Sequence, residues 1–554
     1  MAAKAGAQAK ARTGTAFFAR KHIVYVLIVV AYIFVGYVCS DYIGFDPIEA
    51  ITDFPGGFVW FLVEFCPNAE AFSYSGKILS ALFMTILDAV AAGTIGAVIA
   101  YILAVLGSRV SGFGGIVQLV IRAFATILRN IPPVAWGFIL LYSFKQAEFT
   151  GFLALLFKSI GFLTRTFMET IDEVDTGSIE ALKASGASRT SVITHGVVPL
   201  SLTQIVSWVL YMVETNFRDA TLVGMLTGTG IGFVFNWYYR SFDYHTAGLA
   251  IICIAVTVLL IEAVSNYVRR RVDAQDSRQG PLKRRRSGAI KLRTRTKSNT
   301  VLALFFVFLV LVTVYTFSRM GYGAADIPDA ARHFVRYVAI MFVEPDLVHY
   351  TAAEMIEGML VTICIAVITI MGGVVIALVV SLFAASNLTN RYVSNVIKAV
   401  MAIGRAVPTI IWVLVFTVAI GLGPEAAVVG MMFHTVSFLT KAFSEAFEET
   451  DPGVFDALKA TGATWVQRIT RGVFPDKLNE IVSWSFIRFE NNFVGAVTVG
   501  AIAGSGGIGY QLYMVANFMF DWHEVGLIIY MCLVISITLE FISSRLRKRF
   551  LVHR

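Results

Sequence analysis

The sequence predicts an all-α membrane protein made of two tandem six-helix halves, about 12 transmembrane helices in all. Three observations carry this. Of the 554 residues, 57% are hydrophobic and only 15% charged, and the mean hydropathy is +0.73, far from the composition of a soluble domain. Apolar runs of the roughly 20 residues needed to cross a bilayer recur along the chain, for example at 22–39, 78–106, 248–267, 301–317 and 525–541. The chain also repeats itself: EALKASGASRTSVITHGVVP at 180–199 returns as DALKATGATWVQRITRGVFP at 456–475, an offset of 276 residues.

The elements follow in order. Residues 1–21 form a basic segment (Lys4, Lys10, Arg12, Arg20, Lys21) before an apolar run that lacks a small-x-small cleavage site. This reads as an uncleaved first span with its amino end in the cytoplasm. In the first half, 22–270, spans are expected at 22–40, 78–107, 114–147 (broken at a Pro pair), 151–168, 202–226 and 245–267. The stretch 41–74 carries six acids and no Lys or Arg, as an external loop should. A basic cytoplasmic linker, 271–297, leads to the second half, 298–554. There the spans fall at 300–318, 355–384, 391–422, 426–444, 478–502 and 523–543.

Charge fixes the expected orientation and removes one class of function. The segment 268–299 holds twelve Lys/Arg and two Asp, so it is worth +10 of a net charge of +8, and the rest of the chain is slightly acidic. The basic character thus reports topology and lipid headgroups, not nucleic acid. Linker and tail (Arg545, Arg547, Lys548, Arg549, Arg554) are both basic, so both lie in the cytoplasm and each half has an even number of spans. The halves are then parallel repeats related by a pseudo-twofold axis along the membrane normal. Five scattered cysteines without CxxC or His at ligand spacing argue against disulfide or metal frameworks.

The repeat includes the residues that could carry function. Arg129-Asn-Ile-Pro-Pro133 with Trp136 matches Arg405-Ala-Val-Pro-Thr409 with Trp412, and Glu169 and Asp172 match Glu445 and Glu448. Glu214-Thr-Asn216-Phe matches Glu490-Asn491-Asn492-Phe, while Arg218 faces Val494 in the alignment. Ionisable groups in mid-span are costly unless paired or wetted. Glu214, Asn216, Arg218, Glu490, Asn491 and Asn492 are therefore candidates either for a translocation path or for hydrogen bonds that hold helices together. Arg129 and Arg405, just before the Pro breaks, could neutralise the freed helix end or line the same path. The glycine strings 228–232 and 504–509 end membrane spans and follow no strand, so they read as helix breaks and not as dinucleotide loops.

Between spans four and five, each half carries the opening repeat on the cytoplasmic side. Eleven of its twenty residues are identical between copies. A merely solvated loop would drift faster than the spans; fixed loop residues usually bind something. Glu180-Ala181-Leu-x3-Gly186-Ala187 to Pro199, and Asp456-Ala457-Leu-x3-Gly462-Ala463 to Pro475, resemble the EAA loop of ATP-binding-cassette importer permeases of the type I fold. The string from Glu214 through Gly224 to Gly232 is further similar to the phosphonate-type permease, here as two copies fused in one chain. Leu at the third loop position, Asp456 for Glu, and Gly196 and Gly472 at a usually aliphatic position depart from the pattern.

The resemblance implies the type I importer fold in a bacterial inner membrane and import of phosphonate, phosphate or phosphite. It implies docking of the eight loop residues Glu180, Ala181, Gly186, Ala187, Asp456, Ala457, Gly462 and Ala463 to two copies of a separate ATPase. It also implies a periplasmic or lipid-anchored substrate-binding protein. No GxxxxGK followed by Ser or Thr occurs, so ATP and Mg belong to the ATPase, and the chain itself carries no cofactor, metal or catalytic residue. An ion-coupled secondary transporter with parallel repeats, or an importer of another small anion or an amino acid, is the alternative.

Overall fold

The computed structural model describes residues 27, 29–174, 176–276, 297–320 and 327–551. The basic amino terminus 1–21 and residues 277–296 of the linker lie outside the described residues. In lipid every backbone polar group must be paired within the chain, and helices do this segment by segment. The described chain accordingly has no strand.

The first half runs α1 (Val29–Ile43), α2 (Pro47–Glu64), α3 (Ser75–Gly107), α4 (Gly115–Asn130), α5 (Pro133–Phe144), α6 (Glu148–Asp172), α7 (Thr176–Ala184), α8 (Arg189–Val192), α9 (Val198–Thr227), α10 (Gly230–Arg240) and α11 (Tyr244–Asp276). The second half repeats it as α12 (Lys297–Arg319), α13 (Ile327–Val343), α14 (Ala352–Ala384), α15 (Arg391–Ala406), α16 (Thr409–Ile420), α17 (Pro424–Glu448), α18 (Pro452–Ala460), α19 (Trp465–Arg468), α20 (Phe474–Ala503), α21 (Gly507–Met514) and α22 (Trp522–Leu551). Seven of these helices are long and apolar enough to cross a membrane alone, and four bent pairs and the shorter apolar helix Ala303–Arg319 fill the remaining expected positions.

The Pro breaks are sharp: α4 meets α5 at 92° and α15 meets α16 at 90°. Pro133 occupies the first turn of α5, where its missing N–H costs nothing. The repeated tryptophans close the ends that the breaks leave open. Trp412 Nε1 donates to the Gly404 carbonyl at 2.9 Å, and Trp136 Nε1 to the Leu128 carbonyl at 3.4 Å. The glycine strings are tight packing points. A Cβ on Gly232 would run into the Thr221 carbonyl and one on Gly509 into that of Val497, so only glycine lets α10 and α21 fold back against α9 and α20.

The acidic stretch 41–74 is more structured than a loop. It contains α2, whose Asp46 caps the amino end by accepting from Ile48 N at 2.7 Å, and whose axis bends 71° from α1. Its equivalent is α13. His245 and His523, equivalent in the repeat, tie down the ends of these two helices, each Nδ1–H donating to a carbonyl, of Cys66 (2.7 Å) and Glu344 (2.6 Å) respectively.

In space the halves exchange their first helices. Tyr32 on α1 donates to the Met371 carbonyl of α14 (2.7 Å), and Phe54 and Phe61 on α2 stack on Phe416 and Trp412 of α16. Reciprocally, Thr316 on α12 lies on the Leu87 carbonyl of α3 (3.4 Å), and Phe334 on α13 packs on Phe144 and Phe157.

Candidate functional site

The repeated polar segments form two short exposed helices, α7 and α18. Glu180, Ala181, Asp456 and Ala457 all face outward, while one apolar residue on each helix, Ile179 or Phe455, is buried and holds it to the body. Each helix stops at a glycine in the left-handed region, Gly186 (φ +79°) and Gly462 (φ +71°). The following residue closes the turn: Ala187 N donates to Leu182 O and Ala463 N to Leu458 O, both at 3.1 Å. Ala187 and Ala463 are half-buried beneath that turn.

The departures from the loop pattern compensate one another. A Cβ on Gly196 would sit 3.0 Å from Leu182 Cδ1, and one on Gly472 2.8 Å from Leu458 Cδ1. The larger third residue of the loop is accommodated by the smaller residue in the π-turn before α9 or α20. The unequal pair Arg189 and Trp465 also does one job in both halves. Arg189 donates twice to the Ser111 carbonyl (2.7 and 3.2 Å) and lies over Phe113; Trp465 donates to the Leu388 carbonyl (2.9 Å) and stacks on Phe383. Asp172 bonds Arg122 (2.9 Å) and the Arg109 amide (2.6 Å), as Glu448 bonds Lys398 (2.6 Å) and the Ser386 amide (2.7 Å). Each loop is thus fastened to the α3–α4 or α14–α15 turn, so a push on it reaches those helices.

Within the membrane, the predicted arginines make contacts between halves. Arg405 places Nη2 on both oxygens of Glu262 of α11 (2.6 and 2.7 Å), and Lys441 joins the same carboxylate at 3.1 Å. The mirror arrangement sets Glu540 of α22 between Arg129 and Arg165, with Asn130 adding a bond at 3.2 Å. Each terminal helix therefore delivers an acid to two cations on the opposite half. The sequence reading passed over Glu262 and Glu540, although their signal was present: an acid deep in the apolar sixth span of each half, repeated at an offset of 278.

The fifth spans differ between halves. On α9, Glu214 pairs with Arg218 one turn on, and Asp219 pairs with Lys158 of α6. Asn216 is fully buried, its Nδ2 donating to Ser159 Oγ (2.9 Å) and reaching the Ala89 carbonyl (3.4 Å), which is packing. On α20, Glu490 approaches Arg547 at 4.0 Å, Asn491 is exposed without a polar partner among the described residues, and Asn492 accepts from Thr435 (3.1 Å). Near the carboxyl ends of these helices a cavity of about 410 Å³ opens between the halves, lined by Asn236, Trp237 and Arg240 on one side and Ile502, Tyr513 and Asn517 on the other.

Comparison with known proteins decides the family. The model of the binding-protein-dependent transport system inner membrane component matches twice, over residues 95–275 and 373–551. The chain belongs to this family. Both matches span the repeat, so two permease copies are fused, as expected. The phosphate-import permease protein PhnE of Mycolicibacterium smegmatis is 27% identical over 467 residues, 84% of each chain. The phosphite transport system permease protein PtxC of Stutzerimonas stutzeri is 30% identical over 34% of this chain and 69% of its own. Among solved structures, a chain of the MetNI methionine ABC transporter in an inward-facing conformation is 19% identical, with a TM-score of 0.34 over 37% of this permease and 99% of that chain.

Proposed function

We propose that this permease carries phosphorus oxyanions (phosphonate, phosphate or phosphite) inward across a bacterial inner membrane, driven by ATP hydrolysis on separate subunits. The observation that carries the reading is the pair of exposed, capped helices α7 and α18, equivalent in the two halves, each followed by a short helix, α8 or α19, that is fastened to the turn ahead of a Pro-broken span. Two such helices suit two copies of an ABC ATPase, which would hold ATP and Mg. Closure of the ATPases would push α7 and α18, and through the α3–α4 and α14–α15 turns would rock the halves between inward and outward openings. A periplasmic or lipid-anchored binding protein would deliver the anion to the outer cavity near Arg240. Both termini lie in the cytoplasm in this reading, as the basic linker and tail require. The relatives named for phosphate and phosphite import support the substrate class.

The test is reconstitution of the permease with its ATPase and binding protein in liposomes. Phosphate, phosphite and methylphosphonate are then compared for uptake and for stimulation of ATP hydrolysis. Uptake that needs the ATPase and follows one of these anions is expected. Uptake by the permease alone, driven by a proton gradient, would replace this reading with secondary transport.

A further inference from the structure

Arg488 sits halfway along the 30-residue helix α20, is only 7% exposed, and has no acid in salt-bridge range among the described residues. Its partners are neutral. Nη2 donates to His434 Nδ1 (2.7 Å), Nε donates to Thr435 Oγ1 (3.1 Å), and the guanidinium lies 5.2 Å from the Phe438 ring centre. A guanidinium can only donate, so Nδ1 of His434 is the unprotonated nitrogen and the ring is the neutral tautomer. The Thr435 hydroxyl, having accepted from Arg488, gives its own proton to Asn492 Oδ1 (3.1 Å). That bond turns the Asn492 amide so that Nδ2 is free, and this buried nitrogen has no partner. A cation without a counter-charge and an amide nitrogen without an acceptor are left buried together among the described residues, an arrangement that is costly in a membrane interior.

The first half supplies an internal control. Ser159 and Asn216 stand where Thr435 and Asn492 stand, and there the polar shell closes on itself through Asn216 Nδ2 and Ser159 Oγ (2.9 Å). Met212 occupies the position of Arg488, so no charge is left over. From the first half, Arg218 lies within electrostatic reach of both Arg488 and His434, and its Nε is buried and unpaired. Arg218 also lies within electrostatic reach of Lys158. Glu214 and Asp219 answer Arg218 and Lys158; nothing answers Arg488. What is missing is an acceptor-rich anion that can take donors from two sides.

We propose that Arg488 and Asn492, with Arg218 opposite them, form an oxyanion way-station between the halves, taking a tetrahedral phosphorus oxyanion in transit. This rests on the reading of the chain as an importer of such anions. Planar, charged donors suit a phosphoryl group, whose oxygens accept from several of them at once. The station is asymmetric, since Arg488 stands against Met212 in the repeat and Arg218 against Val494, which a fused chain permits and two identical subunits would not.

The test uses the complete transporter in proteoliposomes with inorganic phosphate and methylphosphonate as probes. R488Q is expected to lower uptake of the transported probe by roughly ten- to a hundredfold, the loss of one charge-assisted contact. R488K, which keeps the charge without the fork, should fall between. A second measurement needs no transport. The thermal midpoint of the purified permease–ATPase complex, without binding protein, should rise when probe replaces chloride, and this rise should vanish in R488Q. Uptake by R488Q at the wild-type rate would overturn the station, as would a midpoint unmoved by probe in the wild type or moved equally in R488Q. Failure of the wild-type transporter to move any phosphorus oxyanion would instead overturn the importer reading, and the station with it.

Discussion

Neutralising Glu262 should loosen the hold between halves more than neutralising Glu540, and the difference can be worked from burial. Arg405 is 10% exposed and Glu262 17%, with both carboxylate oxygens engaged at 2.6 and 2.7 Å. Removing one partner of a buried ion pair costs about 3–5 kcal/mol, because the other charge stays behind without solvent. E262Q should cost about 3 kcal/mol, at the lower end, since Lys441 is 44% exposed and water can serve it. In the mirror site Arg129 and Arg165 are 26% and 32% exposed, and Arg165 keeps Glu169 at 3.0 Å. E540Q should therefore cost only about 1–2 kcal/mol. The assay is denaturant or SDS unfolding of the full chain in mild detergent, followed by tryptophan fluorescence. Replacing both partners by apolar residues, E262L with R405M, should recover most of the loss, so that the double variant falls well short of the sum of the singles. The reasoning would be refuted by E540Q costing as much as E262Q, or by the double variant falling at the sum of the singles.

Reversing the charge of the coupling helices, E180K with D456K, should abolish ATP-driven uptake and co-purification of the ATPase while leaving the thermal midpoint of the permease unchanged, since both side chains are exposed. G186V should weaken α7 by about 1–2 kcal/mol through its left-handed φ of +79°, read as faster proteolysis at 185–190. G472A, which presses on Leu458 Cδ1, should impair coupling alone, and L458A added to it should restore ATP-driven uptake. R189A and W465A should each cost about 1–2 kcal/mol from the lost carbonyl bonds and ring contact, measured by hydrogen exchange in the adjoining loop; the exchange R189W should be milder than R189A.

The architecture was legible where the sequence repeats or runs apolar. Pairs 276 apart aligned the halves, and hydropathy located the long spans, although α11 and α22 run on to Asp276 and Leu551, past the expected ends at 267 and 543. The helix α2 was not legible as a helix because PIEAITDFPGGFVWFLVE mixes acids, Pro55 and two glycines with its apolar residues. Its stability comes from stacking on the other half, through Phe54 and Phe61, and that is a tertiary property. The same limit hid the clasps: Arg405 and Glu262 are 143 residues apart, and Arg165 and Glu540 375. The sequence exposed each arginine as costly but could not say which acid relieved it. Proline breaks suggested a cation at the freed helix end; Trp136 and Trp412 fill that role, which released the arginines to reach across.

The reciprocal exchange gives a reason why motion at two small loops can act on the whole membrane domain. Because α1 and α2 lie on the second half while α12 and α13 lie on the first, neither half can turn without carrying part of the other. The hydrogen-bonded turns between α3 and α4 and between α14 and α15 are the places where Arg189 and Trp465 take hold, and Arg129 and Arg405, cations of the two clasps, sit at the far ends of α4 and α15, the helices that begin at those turns. A displacement of α7 or α18 therefore meets the charged contacts first and the interleaved aromatic packing second. Ion pairs can break and re-form over a shift of a few ångströms, whereas packed apolar surfaces move as bodies. The clasps are thus the elements able to differ between open and closed arrangements, and the exchanged helices are the elements that keep both arrangements aligned on one axis. An inter-half disulfide engineered between α11 and α15 should arrest uptake with the ATPase still able to bind, while one between α1 and α14 should leave uptake intact, because that contact travels as a unit.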